Sequence, residues 1–282
     1  MKKSSIASLV LPSLAAVCMA SAAAHASEPT VLALGDSVAF GYITQAGHQY
    51  VNPANFVGSP EYIAELLQAQ TANASCPGET TGSFLSASAP DHGCRAFRAD
   101  FPLHTAYDST QLAFAQHFLI AHRSVRLVTI GLGANDVFVL EDSCAANADP
   151  PQCIAAGLPA ALAAAAANMA RILAELRSTG FGGTIVIVNY YSPDYSDPNQ
   201  TAITALTNQA IAAPASAYGA VVADVFDAFR GAVSTPTLAG KTCNAGLLNV
   251  DPQNQALCDV HPSQSGQRLI ARTVLSAYER AR

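Results

Sequence analysis

The chain has 282 residues, 50% of them hydrophobic, with 14 Lys and Arg against 20 Asp and Glu, a formal net charge of −6. No basic cluster interrupts this acidic background, which argues against nucleic acid, and against an anionic membrane held by charge alone, as partners. The length suits one sizeable α/β domain with a real core.

Residues 1–26 read as a secretory signal peptide. Lys2 and Lys3 form a basic start, Ile6 to Ala24 is apolar, and Ala24-His25-Ala26 is a small-x-small cleavage signal before Ser27. A lipoprotein reading would use Cys18, but Val17 before it fits that processing poorly. The mature domain is then 27–282, with a secreted or periplasmic location. Val31 to Leu34 is a run of strand formers stopped by Gly35. Asp36-Ser37 follows, then a small and aromatic segment that starts a helix. Ser37 has two readings. A hydroxyl at the C-terminal end of a strand in an open α/β sheet sits where ligands bind. The same hydroxyl suits the cap of a helix.

Ser59-Pro60 opens a helix through Ile63, Leu66 and Leu67. The ANASC segment, Ala72 to Cys76, is a plausible second strand ahead of Pro77-Gly78-Glu79-Thr80. Asp108 with Gln111 resembles a capping box for a helix carrying Leu112, Ala115 and Leu119. Arg126 to Gly133 is a β-rich run ending in glycines, followed by Ala134-Asn135-Asp136. A long helix carries Leu158, Leu162, Ala165, Met169, Ile172, Leu173 and Leu176 at helical spacing, and Gly180 to Gly183 end it. The Ala-rich run from Leu158 to Ala167 is expected to be too short and too weakly apolar for a membrane span. Thr184 to Tyr191 reads as a strand buried on both faces. A helix over 201–213, a last strand Ala220 to Phe226, and a closing helix Ser263 to Tyr278 complete the pattern. In that last helix Leu269, Ile270, Val274 and Leu275 face inward. Strands alternating with helices imply a parallel sheet covered on both faces.

Six cysteines remain after the signal peptide: Cys76, Cys94, Cys144, Cys153, Cys243 and Cys258. An even count in an exported chain implies disulfides, and six cysteines allow fifteen connectivities. Their grouping along the chain favours Cys76–Cys94, Cys144–Cys153 and Cys243–Cys258. A metal site is the weaker reading, because no Cys-x-x-Cys occurs and the histidines are scattered.

The polar residues after the strands supply a hydroxyl at Ser37, a glycine at Gly78, an amide at Asn135 and an imidazole at His261. Acyl transfer needs that set: a nucleophile, a base and donors for an oxyanion. Each member alone has an ordinary reading as turn, cap or surface residue. Taken together, GDS, CPGETT, GANDV and DVHPSQSG resemble the four blocks of the SGNH (GDSL) hydrolase family, in order and over nearly the whole mature chain. The likeness is strongest to secreted bacterial lipase, phospholipase and esterase members with three disulfides.

The resemblance implies a flavodoxin-like three-layer α/β/α fold with a central parallel sheet of about five strands. It implies ester hydrolysis without metal or organic cofactor. It makes Ser37 the nucleophile and His261 the general base. The oxyanion hole would be the backbone N–H of Ser37 and Gly78 with the Asn135 amide. In the family the acid usually stands three residues before the histidine, where this chain has Cys258. Asp259, two before, is favoured to orient His261. A backbone carbonyl of Asp259 or Cys258, or an acid from elsewhere, are the alternatives. Phe40, Tyr42 and the tyrosines of 190–199 could equally line an acyl pocket or pack the core. Without a tryptophan or a long apolar lid, carboxylic esters of lipids or short acyl chains are favoured as substrates. A phospholipase, thioesterase or carbohydrate deacetylase would use the same residues. A non-catalytic secreted binding protein is the distant alternative. A monomer that does not span a membrane is expected.

Overall fold

The computed structural model describes Met1, residues 30–254 and residues 257–282. The signal-peptide reading of 1–26 lies outside the described residues apart from Met1. Four apolar runs and one more polar segment, β2, form five strands: β1 Thr30–Gly35, β2 Gln70–Asn73, β3 Val125–Gly131, β4 Thr184–Val188 and β5 Ala220–Ala223. They pair in parallel in the order β2-β1-β3-β4-β5, the flavodoxin-like order. The ten α-helices among the described residues are α1 Ser37–Phe40, α2 Ser59–Leu67, α3 Thr81–Leu85, α4 Cys94–Asp100, α5 Gln111–Ala121, α6 Ala134–Cys144, α7 Pro150–Ser178, α8 Pro198–Ala212, α9 Val225–Ala232 and α10 Gln264–Arg280.

Successive strand side chains point to opposite faces, so each strand feeds two cores. Leu32, Leu34, Val128, Ile130, Ile185 and Ile187 pack against α5, α7 and α8. Val31, Leu127 and Val186 pack against α2, α9 and α10. The result is the three-layer α/β/α arrangement. A third cluster holds Phe40, Tyr50, Phe56 and Leu103 beside the Cys76–Cys94 bridge. All three disulfides pair as the sequence grouping favours.

Several elements differ from the sequence reading. The cap of α2 is Gly58, whose N–H donates to the Glu61 carboxylate at 2.8 Å, so Ser59 is already helical. The cap of α5 is Thr110, and Gln111 turns inward instead of pairing with Asp108. The second strand runs over 70–73 and ends within ANASC. The last parallel strand stops at Ala223 because Asp224 caps α9. Asn135 and Asp136 are the first turn of α6, not a free turn. In α10, Ile270 and Val274 are buried, while Leu269 and Leu275 are only partly so. A small antiparallel pair, β6 Leu248–Val250 and β7 Cys258–Pro262, stands outside the main sheet. The Ala-rich run belongs to the 29-residue α7, which by length and composition is apolar enough to cross a membrane. One face of its second half, Ala165, Met169, Ile172, Leu173 and Leu176, is buried against the sheet.

Candidate active site

The carboxyl ends of β1 and β3 flank the point where strand order reverses, the place where open α/β sheets bind ligands. Gly35 ends β1 at φ +151°, and a Cβ there would stand 2.7 Å from the Gly131 carbonyl oxygen of β3. Only glycine allows that approach. The fully buried Gln111 side chain clamps this glycine: Gly35 N–H donates to Oε1 at 2.6 Å, and Nε2 donates to Gly35 O at 3.0 Å. Asp36 then caps α1 by accepting from Val38 N–H at 2.9 Å. Ser37 is therefore the first residue of α1, fixed by a clamp before it and a cap over it.

His261 arrives from the far end of the chain on β7. Asp259 and His261 are two apart on a strand, so their side chains share a face. This makes the shortened spacing workable. Both Asp259 carboxylate oxygens lie 2.9 Å from His261 Nδ1. His261 Nε2 lies 3.0 Å from Ser37 Oγ. With Nδ1–H donating to the carboxylate, Nε2 is the acceptor for the serine hydroxyl. Thr44 donates to Asp259 Oδ2 at 2.6 Å. The Tyr42 ring packs 5.0 Å from the imidazole. Tyr191 OH donates to Val260 O at 2.5 Å. Cys258 ties β7 to Cys243. Burial works against the Asp259 carboxylate, but the hydrogen bond and charge of His261 and the Thr44 hydroxyl outweigh it and hold its pKa at about 2.

Gly78 has φ +85°, and a Cβ there would meet the His92 carbonyl at 2.3 Å, so this turn also requires glycine. Asn135 Nδ2 donates to Glu79 O at 3.0 Å and to Asp36 Oδ2 at 3.3 Å. The amide thus bridges the Gly78–Glu79 loop and the turn that carries Ser37. Asp36 also accepts from Tyr190 OH at 2.5 Å. Burial pushes Asp36 up to about 6, against these hydrogen bonds. It pushes Glu79 up to about 7, against hydrogen bonds from Ser83 and Gln111. Asp136 holds α6 to α3 by accepting from Thr81 N–H at 2.9 Å and its hydroxyl at 2.5 Å. Cys76, Glu79 and Cys94 bring ligand-type atoms together, but both sulfurs are joined in a disulfide and are not free to bind a metal.

A cavity of about 350 Å³ opens on Ser37, Asn135 and His261, with Val38, Val137, Phe138, Tyr190, Tyr191 and Ile203 among its walls. The tyrosine loop therefore borders the site. Phe40 is fully buried in the third core cluster, and Gly78 is not among the lining residues. Sequence reasoning missed Thr44, Gln111 and Glu79 as supports. Gln111 offered one signal, a polar residue on the inward side of a helix. Thr44 offered none.

A family model described as the GDSL-like Lipase/Acylhydrolase family matches residues 33–269. No curated protein matches the chain. Among solved structures, phospholipase A1 from Streptomyces albidoflavus is similar with a TM-score of 0.56 and 18% identity, over 89% of this chain and 100% of that one. An acetylxylan esterase from Geobacillus stearothermophilus is similar with a TM-score of 0.53 and 18% identity, over 89% and 94%. A lipase from a goat rumen metagenome gives 0.54 and 16%, over 90% and 100%. At these identities the likeness is one of fold.

Proposed function

The chain belongs to the GDSL-like lipase/acylhydrolase family and is an ester-hydrolysing enzyme, and from that premise we propose that it cleaves carboxylic esters of lipids or short acyl chains through an acyl-enzyme on Ser37. The observation that carries this reading is the continuous line from Ser37 Oγ to His261 Nε2 at 3.0 Å and from Nδ1 to the Asp259 carboxylate at 2.9 Å.

His261 Nε2 accepts the Ser37 proton as Oγ attacks the ester carbonyl carbon. The carbonyl oxygen becomes an oxyanion, met by Ser37 N–H, Gly78 N–H and the Asn135 amide. The longer contact of that amide, to Asp36, is the one released to the oxyanion. Losing one such donor typically costs about a hundred- to a thousand-fold in turnover. The imidazolium returns its proton to the departing alcohol. Water, deprotonated by the same nitrogen, then hydrolyses the acyl-serine and frees Ser37. Asp259 holds the imidazole tautomer and stabilises the imidazolium. Its low pKa keeps it ionised throughout the neutral range.

The mainly apolar wall of the cavity supports an acyl or alcohol group with a largely hydrocarbon surface as the part bound there. The three disulfides support an exported protein. We take the mature enzyme to be one domain over 27–282, monomeric and not membrane-spanning. A phospholipase, thioesterase or carbohydrate deacetylase would employ the same residues. A panel of acyl chain lengths, phospholipid, thioester and acetylated sugar separates them. The ester-hydrolase reading is tested by turnover of p-nitrophenyl esters. Wild type is expected to hydrolyse them, and Ser37→Ala to lose at least about a thousand-fold. Equal inertness of both across chain lengths would make the protein a non-catalytic binder. Asp259→Ala with near-full activity would hand the orienting role to a backbone carbonyl.

A further inference from the structure

The cavity beside Ser37 carries one charged side chain that the proposed chemistry leaves unused. Glu141 lies on α6 seven residues after Ala134, four after Val137 and three after Phe138, and all four line the cavity. That spacing puts them on one helical face. No lysine or arginine lines the same cavity, whose other acid is the buried Asp36. Among the described residues, no hydrogen bond or salt bridge engages the Glu141 carboxylate. His92 faces it, but His92 Nδ1 stands 3.4 Å from Asp142 and is paired there. Burial and the neighbouring Asp142 both push the Glu141 carboxyl upward, so its negative charge is held at a cost that a cation would relieve.

The surroundings suit a particular kind of cation. The rings of Phe138, Tyr190 and Tyr191 share the cavity with Glu141. Aromatic faces attract alkylammonium groups, and a weakly hydrated quaternary ammonium gains most from such a wall. Distance fits as well. Glu141 follows Asn135 by six residues, about 9 Å along the helix axis at the usual rise. An ester carbonyl held at the Asn135 amide thus leaves room for a cationic group a few bonds away, in contact with the carboxylate. An anionic group in that place would face Glu141 without any lysine or arginine to offset it.

We propose that Glu141 is a specificity-determining residue that selects esters bearing an alkylammonium group, above all a quaternary one, over neutral and anionic esters of the same shape. The inference rests on the reading of Ser37 and His261 as the reacting pair, and it deepens that reading by naming a substrate class.

The test compares kcat/KM for charged esters and their uncharged carbon isosteres, using the whole protein. One arm puts the cation in the alcohol, butyrylcholine against the dimethylbutyl ester of butyrate. The other puts it in the acyl group, a trimethylammonio-butyrate ethyl ester against the ethyl ester of the isosteric dimethylhexanoate. In at least one arm the wild type is expected to prefer the cation by about tenfold, and Glu141→Gln to bring the ratio close to one. The arm that responds tells which side of the ester occupies the cavity. A wild-type ratio of one or less in both arms overturns the proposal, as does a ratio that Glu141→Gln leaves unchanged. Turnover of the neutral isosteres without discrimination sinks this inference alone. No turnover of any of the four esters overturns this inference, and inertness towards p-nitrophenyl esters as well sinks the ester-hydrolase reading with it.

Discussion

Ser37 is delivered by the central sheet. β1 is paired on both sides, ends at Gly35 against β3, and hands the serine to α1 through a buried aspartate and a buried glutamine. His261 stands on β7, which pairs only with the three-residue β6 outside that sheet. Two of its supports lie at the rim, the Cys243–Cys258 bridge and the Thr44 hydroxyl on Asp259, and one is buried, the Tyr191 hydroxyl on the strand's backbone. One half of the site is thus a product of the core. The other is held by a covalent staple and a few long-range side-chain bonds. Damage to the clamp on β1 should act chiefly through stability, whereas damage to the supports of β7 should also misplace His261.

The largest expected effect on this contrast comes from the staple. Replacing both Cys243 and Cys258 by serine should cost about 3 kcal/mol in denaturant unfolding, the loop-closure value for a span of this size, and should also lower kcat. Unchanged kcat would mean that β7 holds its place without the bridge. Next, Gln111→Leu should cost about 2 kcal/mol, because Gly35 N–H, Gly35 C=O and the Glu79 carboxylate lose a buried partner. Stability equal to wild type would show that the clamp is dispensable.

A smaller change is expected at the rim. Thr44→Val should lower kcat about tenfold, the order of one lost hydrogen bond to a charged acceptor, with KM little altered, and Thr44→Ser should restore most of it. Full activity in the valine variant would remove Thr44 from the positioning set. A last effect is on pH dependence. Burial raises Glu79 from its ordinary 4.5 to about 7, so its protonated form favours the folded state. That stability is complete below pH 4.5 and is lost as pH rises through 7, with a slope of at most about 1.4 kcal/mol per pH unit. Glu79→Gln should flatten the stability profile in this window. A profile parallel to wild type would contradict it.

Four strands of the main sheet were legible because each is a short apolar run closed by glycine or a polar turn, as in Val31 to Gly35, whereas the polar β2 starts two residues before the expected strand. The three disulfides were legible because close cysteines could close local loops. Helix starts were less so: Gly58 and Thr110 cap where Ser59 and Asp108 looked equally able, since glycine, serine, threonine and aspartate are all favoured at a helix start. The first turn of α6 was hidden because Asn135-Asp136 is also ordinary turn chemistry. β6 and β7 are too short and too polar to announce themselves, yet the strand geometry of β7 is what lets Asp259 reach His261. The supports at Thr44 and Gln111 act across 215 and 76 residues of sequence, and no local pattern encodes such contacts.

Covalent labelling tests the central role of Ser37 most directly. The protein is treated with a p-nitrophenyl dialkyl phosphate, which leaves a stable phosphoryl group on an activated serine, and the adduct is located by peptide mass mapping. One adduct is expected, on the peptide carrying Ser37, and none on Ser37→Ala. An adduct elsewhere, or equal labelling of the variant, would contradict the assignment of Ser37 as the nucleophile.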